Sequence, residues 1–187
     1  MIHMVQIRNN MKLEIILVLI KSKSHLREIA RILNESHSTV LRKIRELMKE
    51  NVLDYKTEGK NKVFFIKNNL KSKNYVYSAE IYKLSKLLEK YPDLSIILED
   101  IKKNVKEGMI ILFGSYAKGI AKPGSDIDIY IETKGIGIKN KIQDLNSKTS
   151  VKIGKFDLNS LLIKEIIKNH VIVRGVEEFY EKNKFFD

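Results

Sequence analysis

Gly114-Ser115-Tyr116-Ala117-Lys118-Gly119-Ile120-Ala121-Lys122-Pro123-Gly124-Ser125-Asp126-Ile127-Asp128-Ile129-Tyr130-Ile131 decides how this chain is read. Just upstream, Met109 to Phe113 is an apolar run that suits a strand and delivers the chain to Gly114-Ser115. Tyr116 to Ile120 suits a short helical turn, and Pro123-Gly124 breaks it. Asp126-Ile127-Asp128-Ile129-Tyr130-Ile131 alternates strictly and reads as a second strand. Residues i and i+2 of a strand share a face, so Asp126 and Asp128 project together. Two carboxylates that close repel each other unless a cation lies between them, and oxygen donors at this spacing suit Mg²⁺ or Mn²⁺. Gly114 lets backbone approach a ligand closely, and Ser115 adds a hydroxyl beside freed amides, which together make a phosphate cradle. Metal carboxylates facing a phosphate cradle imply phosphoryl or nucleotidyl transfer by a two-metal arrangement.

Such a site asks for a third carboxylate on a neighbouring strand. Lys152-Ile153-Gly154-Lys155-Phe156-Asp157-Leu158 combines strand character with an acid, which makes Asp157 the candidate. Ile138 to Asn146 reads as a helix, so a crossover joins the two strands.

Gly114-Ser115 through Asp128, with Asp157 downstream, resembles the DNA polymerase β-type nucleotidyltransferase superfamily, in particular its minimal nucleotidyltransferases, over roughly residues 93–181. The resemblance implies a small mixed sheet flanked by helices, and transfer of a nucleoside monophosphate from an NTP to an acceptor hydroxyl. It implies that Gly114 and Ser115 hold the β and γ phosphates and that Asp126 and Asp128 bind two Mg²⁺ ions, with Mn²⁺ as the alternative. Asp157 would complete the catalytic metal site and help deprotonate the acceptor. Many relatives carry Arg shortly after the Gly-Ser pair; here Lys118 stands nearby, a point charge rather than a planar fork. It either touches the triphosphate or is solvated. All three carboxylates being present favours an enzyme over a domain that only senses nucleotide. An antitoxin-like role is a further alternative, since minimal nucleotidyltransferases are known as partners of small helical toxins.

The rest of the C-terminal half adds no ligand. His170 follows the expected helix Leu161 to Asn169 and reads as a helix C-terminus residue. His3, His25 and His37 have no carboxylate or His partner at ligand spacing. Phe179, Tyr180, Phe185 and Phe186 read as packing residues rather than as a base-stacking platform.

The N-terminal half follows a different pattern. Leu13 to Ile20 suits a buried helix, and Leu26, Ile29, Ala30 and Leu33 give the i, i+3, i+4, i+7 stripe of a second. Asn34-Glu35-Ser36 is a polar turn, with Ser36 a good N-cap for a third helix. In that helix Val40, Ile44 and Leu47 share one face, while Ser38, Arg42 and Arg45 fall on the other. Val52 to Thr57 and Lys62 to Lys67 form a hairpin with Lys56, Lys60 and Lys62 near its tip. Residues 11–68 thus resemble the winged helix-turn-helix domains of bacterial and archaeal regulators, with Ser36-His37-Ser38-Thr39-Val40 opening the recognition helix. Glu35 departs from the apolar turn residue usual there. The resemblance implies double-stranded DNA as partner. Ser38 and Thr39 would lie near base edges, and Arg42, Arg45, Lys60 and Lys62 on phosphates. The alternative for this face is a solvated surface that mediates dimerisation or a protein contact.

Composition sets the frame. The chain has 187 residues, with Lys+Arg 35 against Asp+Glu 23 and no cysteine, which excludes disulfide scaffolds, zinc ribbons and thiol catalysis. Residues 1–73 carry 16 Lys+Arg and 7 Asp+Glu, so the excess charge sits in the N-terminal half and points to a polyanionic partner. The apolar run Ile15 to Ile20 is too short for a bilayer and, with Glu14 at its head and no cleavage site, is not a signal peptide. A cytoplasmic protein of mixed α/β (α+β) class is expected, with no membrane partner. Its parts are a winged helix-turn-helix over 1–73, a linker helix over 74–92 and a nucleotidyltransferase domain over 93–187. A domain this small has little room for an acceptor pocket, so an acceptor or partner protein, or a homo-oligomer, is compatible with it.

Overall fold

The computed structural model describes residues 10–133 and 135–187, with the side chains of Ile136 and Leu145 left aside; His3 and Arg8 lie outside the described residues. The chain divides into two compact units, Met1–Tyr82 and Lys83–Asp187. Among the described residues, no helix is long and apolar enough to cross a membrane.

In the first unit, α1 (Met11–Lys21) and α2 (Leu26–Leu33) flank a two-residue strand, β1 (Ser24–His25). Asn34 adopts the left-handed conformation at φ 53 and turns the chain toward α3 (His37–Lys49). Asparagine tolerates that region because its short polar side chain bonds locally. Ser36 caps α3, its Oγ accepting from Thr39 N at 3.1 Å. β2 (Leu53–Glu58) and β3 (Asn61–Ile66) pair antiparallel through a two-residue turn. Gly59 takes the first central position of that turn at φ 59, as a type II′ hairpin requires. β1 adds to the far edge of β3, giving the order β1-β3-β2. No sequence pattern marks a strand at Ser24–His25. Ile15, Ile16, Ile29, Val40, Ile44 and Leu47 are fully buried and form the core between helices and sheet.

α4 (Leu70–Lys90) opens with Asn69 Oδ1 accepting from Ser72 N, four residues before the linker helix expected over 74–92, and the division between the units falls within it. α5 (Asp93–Asn104) begins after Pro92.

The second unit is built on β4 (Ile110–Phe113), β5 (Ile127–Ile131), β6 (Thr149–Ile153) and β7 (Val171–Arg174), in the order β6-β5-β4-β7. β4 runs antiparallel to β5 and β7, and β6 runs parallel to β5. α7 (Ile136–Leu145) makes the crossover that a parallel pair needs. Ile110, Leu112, Ile127, Ile129, Ile131, Val151 and Val171 cover one face of the sheet and pack with Leu94, Leu98 and Ile101 of α5. α8 (Leu161–Lys168) and α9 (Val176–Lys182) follow β6 and β7. The strand expected over 152–158 lies earlier in the chain. Tyr130 Oη donates to Gly154 O at 2.9 Å, and Phe156 N donates to Glu132 Oε1 at 3.2 Å. These side chains take the backbone groups that a longer β6 would have paired.

Candidate nucleotide and metal site

The antiparallel register of β4 and β5 builds the site. Phe113, the last residue of β4, pairs with Asp128, so the chain leaves β4 at Gly114 directly beside that aspartate. Gly114 has φ 70, and a Cβ there would lie 2.1 Å from Asp128 Oδ2. What the glycine admits is therefore the Asp128 carboxylate itself. Gly114 also opens α6 (Gly114–Ala117), a single turn closed by Lys118 N donating to Gly114 O at 3.1 Å. The loop back to β5 is held at Lys122–Ser125, where Ser125 Oγ accepts from Lys122 N at 2.9 Å. Pro123 followed by Gly124 at φ 87 is the central pair of a type II turn. Asp126 then stands exposed one residue before β5, with Asp128 half-buried behind it.

Asp128 occupies the middle of a row across three strands. Phe113 pairs with it from β4 and Ser150 from β6. Paired residues share a face, so Ser150 is the β6 side chain nearest to it. Asp157 is not on β6. It follows a segment tied to the opposite end of β5, and its Oδ1 accepts from Asn159 N at 3.0 Å in a turn that leads into α8. Among the described residues, no three His, Cys, Asp or Glu side chains are grouped as a metal ion requires. Asp126 and Asp128 beside the Gly114 cradle fit one divalent ion that shares phosphate oxygens, because Mg²⁺ is commonly held by one or two carboxylates plus substrate phosphates and water.

Residues 94–182 match the model of the nucleotidyltransferase domain family.

A solved structure described as the crystal structure of a toxin-antitoxin with AMP-PNP is similar at 20% identity, over 56% of this chain and 78% of that chain, with a TM-score of 0.34. No curated protein matches the chain.

Within the matched residues, Lys118 Nζ lies 2.8 Å from Glu165 Oε1 of α8, and this hydrogen bond holds the Glu165 carboxyl below its ordinary range. The Lys118 charge is thus directed to α8. His170 is buried, its Nδ1 close to Ile166 O at 3.0 Å and its ring 4.4 Å from Phe179, as a helix C-terminus residue should be. Phe179 and Tyr180 are buried in edge-on contact and pack as core. Ser150, on the same face as Asp128, is not among the residues that the motif singles out. Its trace is the alternation of Thr149, Val151 and Ile153 with Ser150 and Lys152, which starts the strand three residues before Lys152.

In the first unit, Ser38, Arg42 and Arg45 are exposed along α3 and border a depression of about 510 Å³ with Leu41, Glu46 and Lys49. Thr39 Oγ1 accepts from Ser36 Oγ at 2.9 Å. Arg42 Nη1 stands 3.7 Å from Glu46 Oε1, a loose exposed pair that leaves its fork accessible. Lys60 is exposed in the hairpin turn, and Lys62 Nζ lies 4.1 Å above the Tyr55 ring.

Proposed function

We propose that the nucleotidyltransferase domain binds the triphosphate of an NTP, with Mg²⁺ or Mn²⁺, at Gly114, Ser115, Asp126 and Asp128, and that the chain moves NMP from it to an acceptor hydroxyl. The observation that carries this is the Asp128 carboxylate lying against the Gly114 backbone, where only glycine fits. In the reaction the acceptor hydroxyl oxygen bonds to the α phosphorus and loses its proton to water. The bond from that phosphorus to the bridging oxygen breaks, and pyrophosphate departs with the electron pair. The metal, when bound, offsets triphosphate charge. The protein's part is to fix Asp126 and Asp128 on a rigid strand end, to present Gly114 and Ser115 to the phosphates, and to leave the acceptor side open to a partner. Incubation with each α-³²P-labelled NTP, Mg²⁺ and whole-cell lysate tests it. Labelled acceptor is expected, and its absence with all four nucleotides overturns transfer.

A second reading, nucleotide sensing without transfer, is favoured by Ser150 standing where a third carboxylate would pair with Asp128. In both readings residues 1–73 bind duplex DNA as a winged helix, 74–92 link the parts and 93–187 handle nucleotide. The order of α1, β1, α2, α3 and the β2–β3 hairpin supports the winged-helix reading, with Ser38, Thr39, Arg42 and Arg45 on the groove side and Lys60 and Lys62 on the wing.

A further inference from the structure

Phe113, Asp128 and Ser150 stand side by side on three neighbouring strands, with Asp126 two residues before Asp128. Cross-strand neighbours bring Cβ atoms within about 5 Å, so the sheet offers a third ligand two positions, one on each side of Asp128. One carries a phenyl ring and the other a hydroxyl. Lys152, two residues beyond Ser150 and on the same face, adds positive charge there. Asp157 lies beyond the end of β6, its Oδ1 accepting from Asn159 N at 3.0 Å in the turn before α8.

We propose that this domain holds one divalent ion, shared by Asp126, Asp128 and the triphosphate, and that Ser150 marks the position from which the ligand for a second ion is missing. The proposal rests on the NTP-binding reading of the site. One octahedral ion needs no more than two carboxylates, phosphate oxygens and water. A second ion, about 4 Å away in two-metal enzymes, adds two positive charges. Here it would meet a neutral hydroxyl and Lys152, with no third carboxylate grouped there among the described residues.

Bound Mn²⁺ per chain can be counted by electron paramagnetic resonance titration of the full chain. Each titration contains a saturating α,β-methylene analogue of one of the four nucleoside triphosphates, in which the bridge that transfer breaks is carbon. One Mn²⁺ is expected for wild type and for Ser150→Asn, none for Asp128→Ala, and two for Ser150→Asp. Two in wild type overturns the proposal and leaves NTP binding standing. None in wild type with any analogue overturns both. A single ion in folded Ser150→Asp overturns the assignment of Ser150. The wild-type count decides between one ion and two even where Ser150→Asp does not fold.

Discussion

Gly114 is under two constraints at once. Its φ of 70 costs an ordinary residue about 1 kcal/mol, and its missing side chain makes room for Asp128. Gly114→Ala must move Asp128 or the end of β4, so nucleotide affinity in the presence of Mn²⁺ should fall at least about tenfold by calorimetric titration, as for loss of a charged ligand contact. Asp157→Asn is the contrasting change. Asparagine still accepts from Asn159 N, so the turn before α8 persists, and metal-dependent nucleotide affinity should match wild type in the same titration. The glycine and the aspartate pair were legible in the sequence because strand alternation fixes which residues share a face. The place of Asp157 was not legible. It depends on the Tyr130 hydroxyl reaching Gly154 O and the Glu132 carboxylate reaching Phe156 N, contacts between residues 24 apart that no local pattern carries.

At the scale of elements, α1, α3 and α4 are tied by a small polar network. Lys12 Nζ lies 2.6 Å from Glu50 Oε1 and 3.2 Å from Glu46 Oε2, and Tyr75 Oη donates to Glu50. The hydrogen bond to Glu50 raises the Lys12 ammonium above its ordinary value, and the bond from Lys12 lowers the Glu50 carboxyl. Glu50 therefore adds stability above its ordinary value of 4.5 and loses it as pH falls through the lowered one. Lys12 contributes below its ordinary 10.5 and loses that contribution as pH rises through the higher value. Glu50→Gln should flatten the acid side of the stability profile while its neutral plateau drops, read by native-state hydrogen exchange of α3 amides between pH 3 and 7. α1 and α3 were legible from their apolar residues and from Ser36. β1 was not, because two residues cannot show a period, and Ser24 and His25 become a strand only by pairing with Phe64 and Val63.

For the whole molecule, the excess positive charge in the N-terminal half sets the expected response to salt. With about four phosphate contacts from Arg42, Arg45, Lys60 and Lys62, log K for duplex DNA should fall against log salt with a slope near −4. Fluorescence anisotropy of the full chain on a labelled duplex measures it, and Arg42→Ala with Arg45→Ala should cut the slope by about two. The order β6-β5-β4-β7 has a further consequence, for synthesis. Ile111 of β4 pairs with Ile172 of β7, so one side of β4 stays unpaired until roughly 60 more residues have left the ribosome. Through that interval the nascent chain displays Ile110-Ile111-Leu112-Phe113 as an open apolar edge, the kind of surface that recruits chaperones or a second nascent chain. Translation halted before Val171 would release a polypeptide that already has its aspartate pair but cannot close its sheet.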